Sequence, residues 1–453
     1  MKKTYRVCAV AAVAGGAALA TAGPARAASV DCSSATAVPN PVYIAGSTAS
    51  KPVLIALAKV LAAQSPAISI LYSGPSSCVG LEDVVAGQTE STAWSYLDPV
   101  TGAADTCVAG ANPYPAEYVD IGVADVFPSS CIQPPISLTS SFMEFHGAIQ
   151  PMEIVVPWGS SENAISYDAA YTVFGWAGAM YPVMPWTVPT AVWTRGDTSG
   201  TQLMVANAIG LAGNNWLKGL SAEAGAAQVA SSSGVMVTDI EASGATSPNA
   251  TIGVLSAGTL DPLKSAPGTN DAGAATGGLK PLAFQAKDEG CSYYADSDLN
   301  HFDKINVRQG RYAIWGPLHF LTNVTGSTPI ANPSGSGNLI PSTSANVAAV
   351  IALITHQGLT VNSASLKTVI AAEASAHFVP DCAMEVSRSN EVTLATAGGE
   401  ASYAPTGACG CYFESVVGGG TTVSPYCQTC SMDADCADAG VYTHCNYGYC
   451  EAQ

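Results

Sequence analysis

Three times this chain passes from an apolar stretch through a short loop of small residues into helix-forming sequence. That order narrows the fold more than any other feature. The loops are Ala45-Gly46-Ser47-Thr48, Ser73-Gly74-Pro75-Ser76-Ser77 and Arg195-Gly196-Asp197-Thr198-Ser199-Gly200-Thr201. Residues 42–45 are expected as a buried strand. Ser50 is expected to cap a helix with Pro52 in its first turn and Val53, Leu54, Leu57, Val60 and Leu61 on one face. A strand over 68–72 and a short helix over 81–86 follow. Strand–helix alternation of this kind indicates α/β layering with parallel strands. Residues 118–123, 147–157, 188–194 and 312–320 are expected to be extended, and 202–211, 345–355 and 366–376 helical. Residues 28–40 read as an unstructured lead-in. Residues 88–117, polar and rich in Gly and Pro, read as an inserted surface loop.

The compartment follows from the first residues. Lys2, Lys3 and Arg6 precede an apolar run over 8–20, and Ala25-Arg26-Ala27 is a cleavage signal. This predicts a signal peptide removed after Ala27 and a periplasmic or extracellular mature chain. Cys32 lacks the context of a lipid-anchored cysteine. No later apolar run reaches the ~18 residues of a membrane span. Cleavage removes four cations and no acid, which takes the formal charge from −18 to about −22. Such a field excludes nucleic acid and anionic membranes as partners. It also requires that any anion site work through local dipoles and one or two cations.

A helix N-terminus presents unpaired N–H groups and a partial positive charge. Glycine lets backbone approach a ligand closely, and hydroxyls add donors without net charge. In open α/β sheets such loops lie at the carboxyl ends of strands, where ligands bind. A Ser/Thr/Gly loop ahead of a helix is by itself most often just a cap. The three loops gain weight from their order and from a fourth element, Asp120-Ile121-Gly122-Val123-Ala124-Asp125. Together these pieces resemble the periplasmic phosphate-binding proteins of ABC uptake systems over roughly 40–380, with R-x-D-x-S-G-T at 195–201 the most specific motif.

The resemblance implies a two-lobed α/β periplasmic binding protein fold of type II. Lobe I would comprise 40–150 and 315–385 and lobe II 151–314, with crossovers near 143–156 and 306–322. It implies inorganic phosphate as ligand, no cofactor, an ABC permease as partner, hinge closure, and a monomer. Thr48, Ser76, Arg195, Ser199, Gly200 and Thr201 match the family's phosphate donors. Asp125 matches the carboxylate that accepts the proton of bound phosphate and thereby rejects sulfate, which has none. Ser47 and Ser77 support the donors, and Asp197 is expected to orient Arg195. Ala49 stands where the family has an aromatic residue, and the family lacks an insertion of the length of 88–117. Two competing readings are a secreted interaction protein that reuses the fold and a phosphate-ester hydrolase.

The remaining motifs point to structure. Gly196-Asp197-Thr198-Ser199-Gly200 resembles a serine-protease nucleophile loop, but Thr198 interrupts the pattern. His146, His301, His319, His356, His377 and His444 form no H-x-x-x-H pair and read as structural or surface residues, so no metal site is expected. Asp296-Ser297-Asp298-Leu299-Asn300 opens like a calcium loop. His301 and Val307 then stand where Gly and Glu are required, so a solvated polar loop is expected. Thirteen cysteines follow the signal peptide, an odd number that leaves one free. Cys427, Cys430, Cys436, Cys445 and Cys450, with Cys409 or Cys411 as sixth member, read as a disulfide knot in a tail over 405–453. Cys78 is expected to pair with Cys107 or Cys131, stapling the insertion near the pocket.

Overall fold

A computed structural model describes residues 29–451 except 91, 114, 133–134, 266–267, 270–274, 277, 392–399 and 420–423. The segment expected to be a signal peptide, residues 1–27, lies outside the described residues. Among them, no helix is long and apolar enough to cross a membrane.

The chain is a mixed α/β protein built on an 11-stranded sheet. Strand β1 (Ser29–Asp31) is followed by β2 (Pro41–Gly46), α1 (Lys51–Ala62), β3 (Ser69–Ser73) and α2 (Ser77–Ala86). Next come β4 (Ser95–Leu97), β5 (Ala104–Val108), β6 (Ile121–Ala124) and the long β7 (Phe142–Pro157). After α3 (Tyr167–Trp176), the short β8 (Thr194–Arg195) leads into α4 (Gly200–Ile209), and β9 (Val229–Ala230) into α5 (Ser233–Gly244). Strands β10 (Gly253–Ser256), β11 (Leu279–Pro281) and β12 (Trp315–Thr325), then helices α6 (Ser344–Ile354), α7 (Ala364–Ser375) and α8 (Gly410–Val417), complete the main elements. The strand order is β1-β5-β4-β3-β2-β6-β12-β7-β10. Strands β2, β3 and β6 are parallel, as the strand–helix alternation predicts.

Strand β7 makes the molecule two-lobed. Its first part, Phe142–Pro151, pairs with β12, and its last part pairs with β10 and β11. The chain returns beside it, where Met152 N donates to Ile314 O just ahead of β12. These are the two crossovers. Helix α1 buries Val53, Leu54, Leu57, Ala58 and Leu61 against β2 and β3, the apolar face that its periodicity marks out.

Several expectations are corrected. Ser50 makes no side-chain cap; its hydroxyl donates to Ser47 O. Helix α2 begins at Ser77, so the serine loop itself forms its first turn. Residues 188–194 are not a strand. Pro189 starts a 3-10 turn there, since proline lacks the N–H a ladder needs; Val192 makes an isolated parallel bridge to Ile252, and strand pairing begins at Thr194–Arg195. The described residues of 28–40 and 88–117 are not loose. Strands β4 and β5 extend the sheet, and β1 pairs with β5. Trp94 is fully buried against Tyr43. Turn-forming residues around short strands hid the alternating burial of β5.

Six disulfides form: Cys32–Cys107, Cys78–Cys131, Cys382–Cys409, Cys411–Cys427, Cys430–Cys445 and Cys436–Cys450, and exposed Cys291 is free. The insertion is therefore stapled by Cys107 to the N-terminal segment and not to α2. The tail knot takes Cys411, while Cys409 ties the tail to the body. The tail also docks through a buried Arg308–Glu414 ion pair at 2.8 Å. The polar loop at 296–300 is corrected too. Asp296 is buried, with Lys264 at 2.7 Å and Lys304 at 2.8 Å.

Candidate anion-binding site

The first and second loops meet because glycines bring α2 onto the sheet. A Cβ on Gly80 would lie 2.3 Å from Ala45 O, and one on Gly122 would lie 2.7 Å from Gly80 O. This close approach sets the N-terminus of α2 beside the carboxyl ends of β2 and β6. Those ends carry Ser47 and Asp125.

Asp125 is the centre of the cluster. The Ser47 hydroxyl reaches its two carboxylate oxygens at 2.6 and 2.7 Å, and the Ser77 hydroxyl lies 3.3 Å from Oδ2. The Thr201 hydroxyl lies near enough to favour its charged form. Burial pushes its pKa up to about 6, while the Ser47 bonds and the Arg195 charge pull the other way.

The third loop arrives from lobe II. Gly200 N donates to Ser77 Oγ at 3.0 Å, and Cys78 N donates to Thr198 O at 3.1 Å. A Cβ on Gly200 would stand 2.5 Å from Ser77 Oγ and 2.9 Å from Asp125 Oδ2, so only glycine fits there. Arg195 is 3% exposed. Its guanidinium donates to Ala230 O (3.0 Å), Ser233 Oγ (3.3 Å), Thr48 Oγ1 (3.3 Å) and Ser231 O (3.4 Å). Burial draws its pKa down to about 10, so it stays charged at neutral pH. Among the described residues, no carboxylate lies within ion-pairing distance of it.

The fold thus gathers Ser47, Thr48, Ser77, Asp125, Arg195, Gly200 and Thr201. Ser76 adjoins them; its Oγ is buried with no hydrogen-bond partner among the described residues. Ser199 is buried at the N-cap of α4 and makes no side-chain cap bond. Ala49 is buried, with its N–H donating to Ser47 Oγ and its carbonyl accepting from Gln150. Asp197 does not orient Arg195: no bond between them occurs among the described contacts. Gln202 Oε1 accepts from Arg195 N at 2.8 Å, and the two carbonyls of 230–231 hold the guanidinium.

Sequence reasoning missed Gln202 and Ser233. Ser233 hydrogen-bonds both Arg195 and Thr48 at the start of α5. Its signal was present, since Ser231-Ser232-Ser233-Gly234 is a fourth small-hydroxyl loop ahead of a helix. Chemically, the cluster offers one buried cation, several hydroxyl donors, two helix N-termini and one buried acceptor. That is a donor-rich site for a small oxyanion.

Fold and topology define a mixed α/β architecture on one large sheet, with β7 and β12 running side by side through it. No family model and no curated protein matches this chain. Solved structures similar to it include two phosphate-transport proteins. One is a putative phosphate ABC transporter substrate-binding protein with bound phosphate from Clostridium perfringens, at 16% identity over 75% of this chain and 99% of that one, TM-score 0.41. The other is an ABC-type phosphate transport receptor from Vibrio cholerae, at 14% identity over 75% and 99%, TM-score 0.40. The reduced OxyR regulatory domain from Pseudomonas aeruginosa is also similar, at 9% identity over 69% and 97%, TM-score 0.33. Likeness at this level says nothing of what this chain binds.

Proposed function

We propose that this chain is a secreted solute-binding protein that captures inorganic phosphate between its lobes and hands it to an ABC permease. The observation that carries the reading is Arg195: a buried, charged guanidinium with no carboxylate in ion-pairing distance among the described residues, beside a ring of hydroxyls. Burying a cation unpaired is costly, and an oxyanion would supply the missing charge. Ser76 Oγ, buried and unpartnered, adds a donor for the same ligand.

In this reading Thr48, Ser233 and Ser77 exchange their mutual bonds for bonds to phosphate oxygens, while Arg195 supplies the charge-assisted bonds. Gly200 and Thr201 contribute at the N-terminus of α4. Asp125 accepts the proton that phosphate carries near neutral pH. Lobe closure removes water and strengthens every one of these bonds. The mature chain acts as a monomer outside the cytoplasm, after loss of residues 1–27.

A second reading, a secreted interaction protein that reuses the fold, is favoured by one feature. Thr48, Ser233, Ser77 and Gly200 already satisfy one another across the lobes. Calorimetric titration with phosphate separates the two. Micromolar or tighter binding that falls at least about 100-fold in Arg195→Ala supports phosphate capture. A folded protein indifferent to phosphate supports the interaction reading.

A further inference from the structure

Both crossover strands carry metal-ligating side chains at one point, on residues that the anion site does not use. Glu144 and His146 lie two apart in β7, so a strand's period of two puts them on one face. His319 of β12 stands directly opposite His146 in the sheet. Glu144 Oε1 lies 3.2 Å from His146 Nε2 and 2.5 Å from His319 Nδ1. Ligand atoms of all three lie within 4.8 Å of one another.

We propose that Glu144, His146 and His319 form a binding site for one divalent transition-metal ion, with zinc as the favoured occupant. Two imidazoles and one carboxylate are a borderline-soft donor set of the kind zinc takes, with a water completing the tetrahedron. Metal–ligand bonds of about 2.0–2.1 Å in a tetrahedral site set neighbouring ligand atoms roughly 3.3 Å apart. The His146–Glu144 separation already matches. The His319–Glu144 contact has to open by less than about 1 Å, which rotation of a partly exposed glutamate side chain provides.

The surroundings favour a built site over a chance contact. Gly147 and Ala148 oppose the single residue Leu318, a bulge immediately after His146, and bulges re-aim neighbouring side chains. The Phe127 ring walls the pair, 4.2 Å from the His319 ring and 5.5 Å from the His146 ring. His319 is fully buried, with its Nδ1 turned to Glu144. His146 is 47% exposed and lines a cavity of about 530 Å³, which gives an ion a way in. On ligation through Nδ1, the ring proton moves to Nε2 and the imidazole stays neutral. A bound ion would clip the two strands that join the lobes. The inference stands whichever ligand the interlobe site takes.

The test is zinc titration of the metal-stripped mature chain in a Cys291→Ser background, which removes the exposed thiol as a competing ligand. Cobalt absorption serves as a second readout, and circular dichroism monitors folding. The expected result is one equivalent of zinc and a cobalt spectrum of low coordination number. In both His146→Ala and Glu144→Gln, affinity falls at least about tenfold and the cobalt spectrum is lost. His301→Ala and His444→Ala, the other exposed histidine sites, leave both readouts unchanged. Absence of stoichiometric zinc binding overturns the proposal. So does binding that survives His146→Ala and Glu144→Gln in folded protein, or that is lost in His301→Ala or His444→Ala.

Discussion

Asp125 sits at 1% exposure with a pKa lifted to about 6 by burial, against 3.8 for a free aspartate. The folded protein therefore holds this proton more tightly than the unfolded chain does. Stability from this group is fullest below pH ~4 and is lost as pH rises to about 6. Asp125→Asn should then stabilise the protein by about 1–3 kcal/mol at pH 8 and by much less at pH 4. Urea unfolding at the two pH values measures this, and a destabilised variant at pH 8 would contradict it. On the proposed reading, this is stability given up for binding. The meeting of Arg195 and Asp125 in one cluster was legible because a motif order carried it. The placement of Asp197 was not. Its spacing from Arg195 suggests a partner, but carbonyls from a segment 35 residues further on hold the guanidinium. Only the folded chain juxtaposes them.

At the level of elements, glycine contacts decide where the ligand loops stand. Gly80→Ala would force a methyl to 2.3 Å from Ala45 O, a backbone atom that cannot yield without moving β2. The expected cost is about 3 kcal/mol or more, with displacement of the Ser76–Ser77 turn and weaker anion binding. Thermal unfolding and titration together check it, and an unshifted melting temperature would show that α2 is not pinned there. Gly200→Ala, whose methyl would meet Ser77 Oγ and Asp125, should leave the lobes folded but unable to approach. The apolar strands β2 and β3 and helices α1, α6 and α7 were readable from periodicity. Strands β4 and β5 were not, because turn-forming residues surround them and long-range pairing with β3 and β1 creates their burial. The E-x-H spacing of Glu144 and His146 was present in the sequence, but its third member comes from a strand 173 positions beyond His146, as the register His319↔His146 shows.

For the whole molecule, the tail is an integral part of the body. The Arg308–Glu414 pair is almost fully buried, and Arg308 also donates to Ala383 O. Removing one partner leaves the other charge buried, so Arg308→Ala should cost about 3–5 kcal/mol. It should also open the tail to limited proteolysis while the Cys382–Cys409 tether remains. Equal protease resistance in the variant would mean that the disulfides alone hold the tail. The two-lobed plan was legible from the order of motifs. The docking of the tail was not, because it depends on one arginine more than 100 positions from its glutamate.

The central claim is that a buried cation and a proton-accepting carboxylate select phosphate. The most direct measurement is competition between phosphate and sulfate for the mature protein, with Asp125→Asn alongside. Wild-type protein is expected to bind phosphate and ignore sulfate at neutral pH. This preference should shrink as pH falls through about 6, where Asp125 takes up its own proton, and Asp125→Asn should gain sulfate binding. Equal affinity of the wild-type protein for both anions, or a preference unchanged by Asp125→Asn, would contradict it.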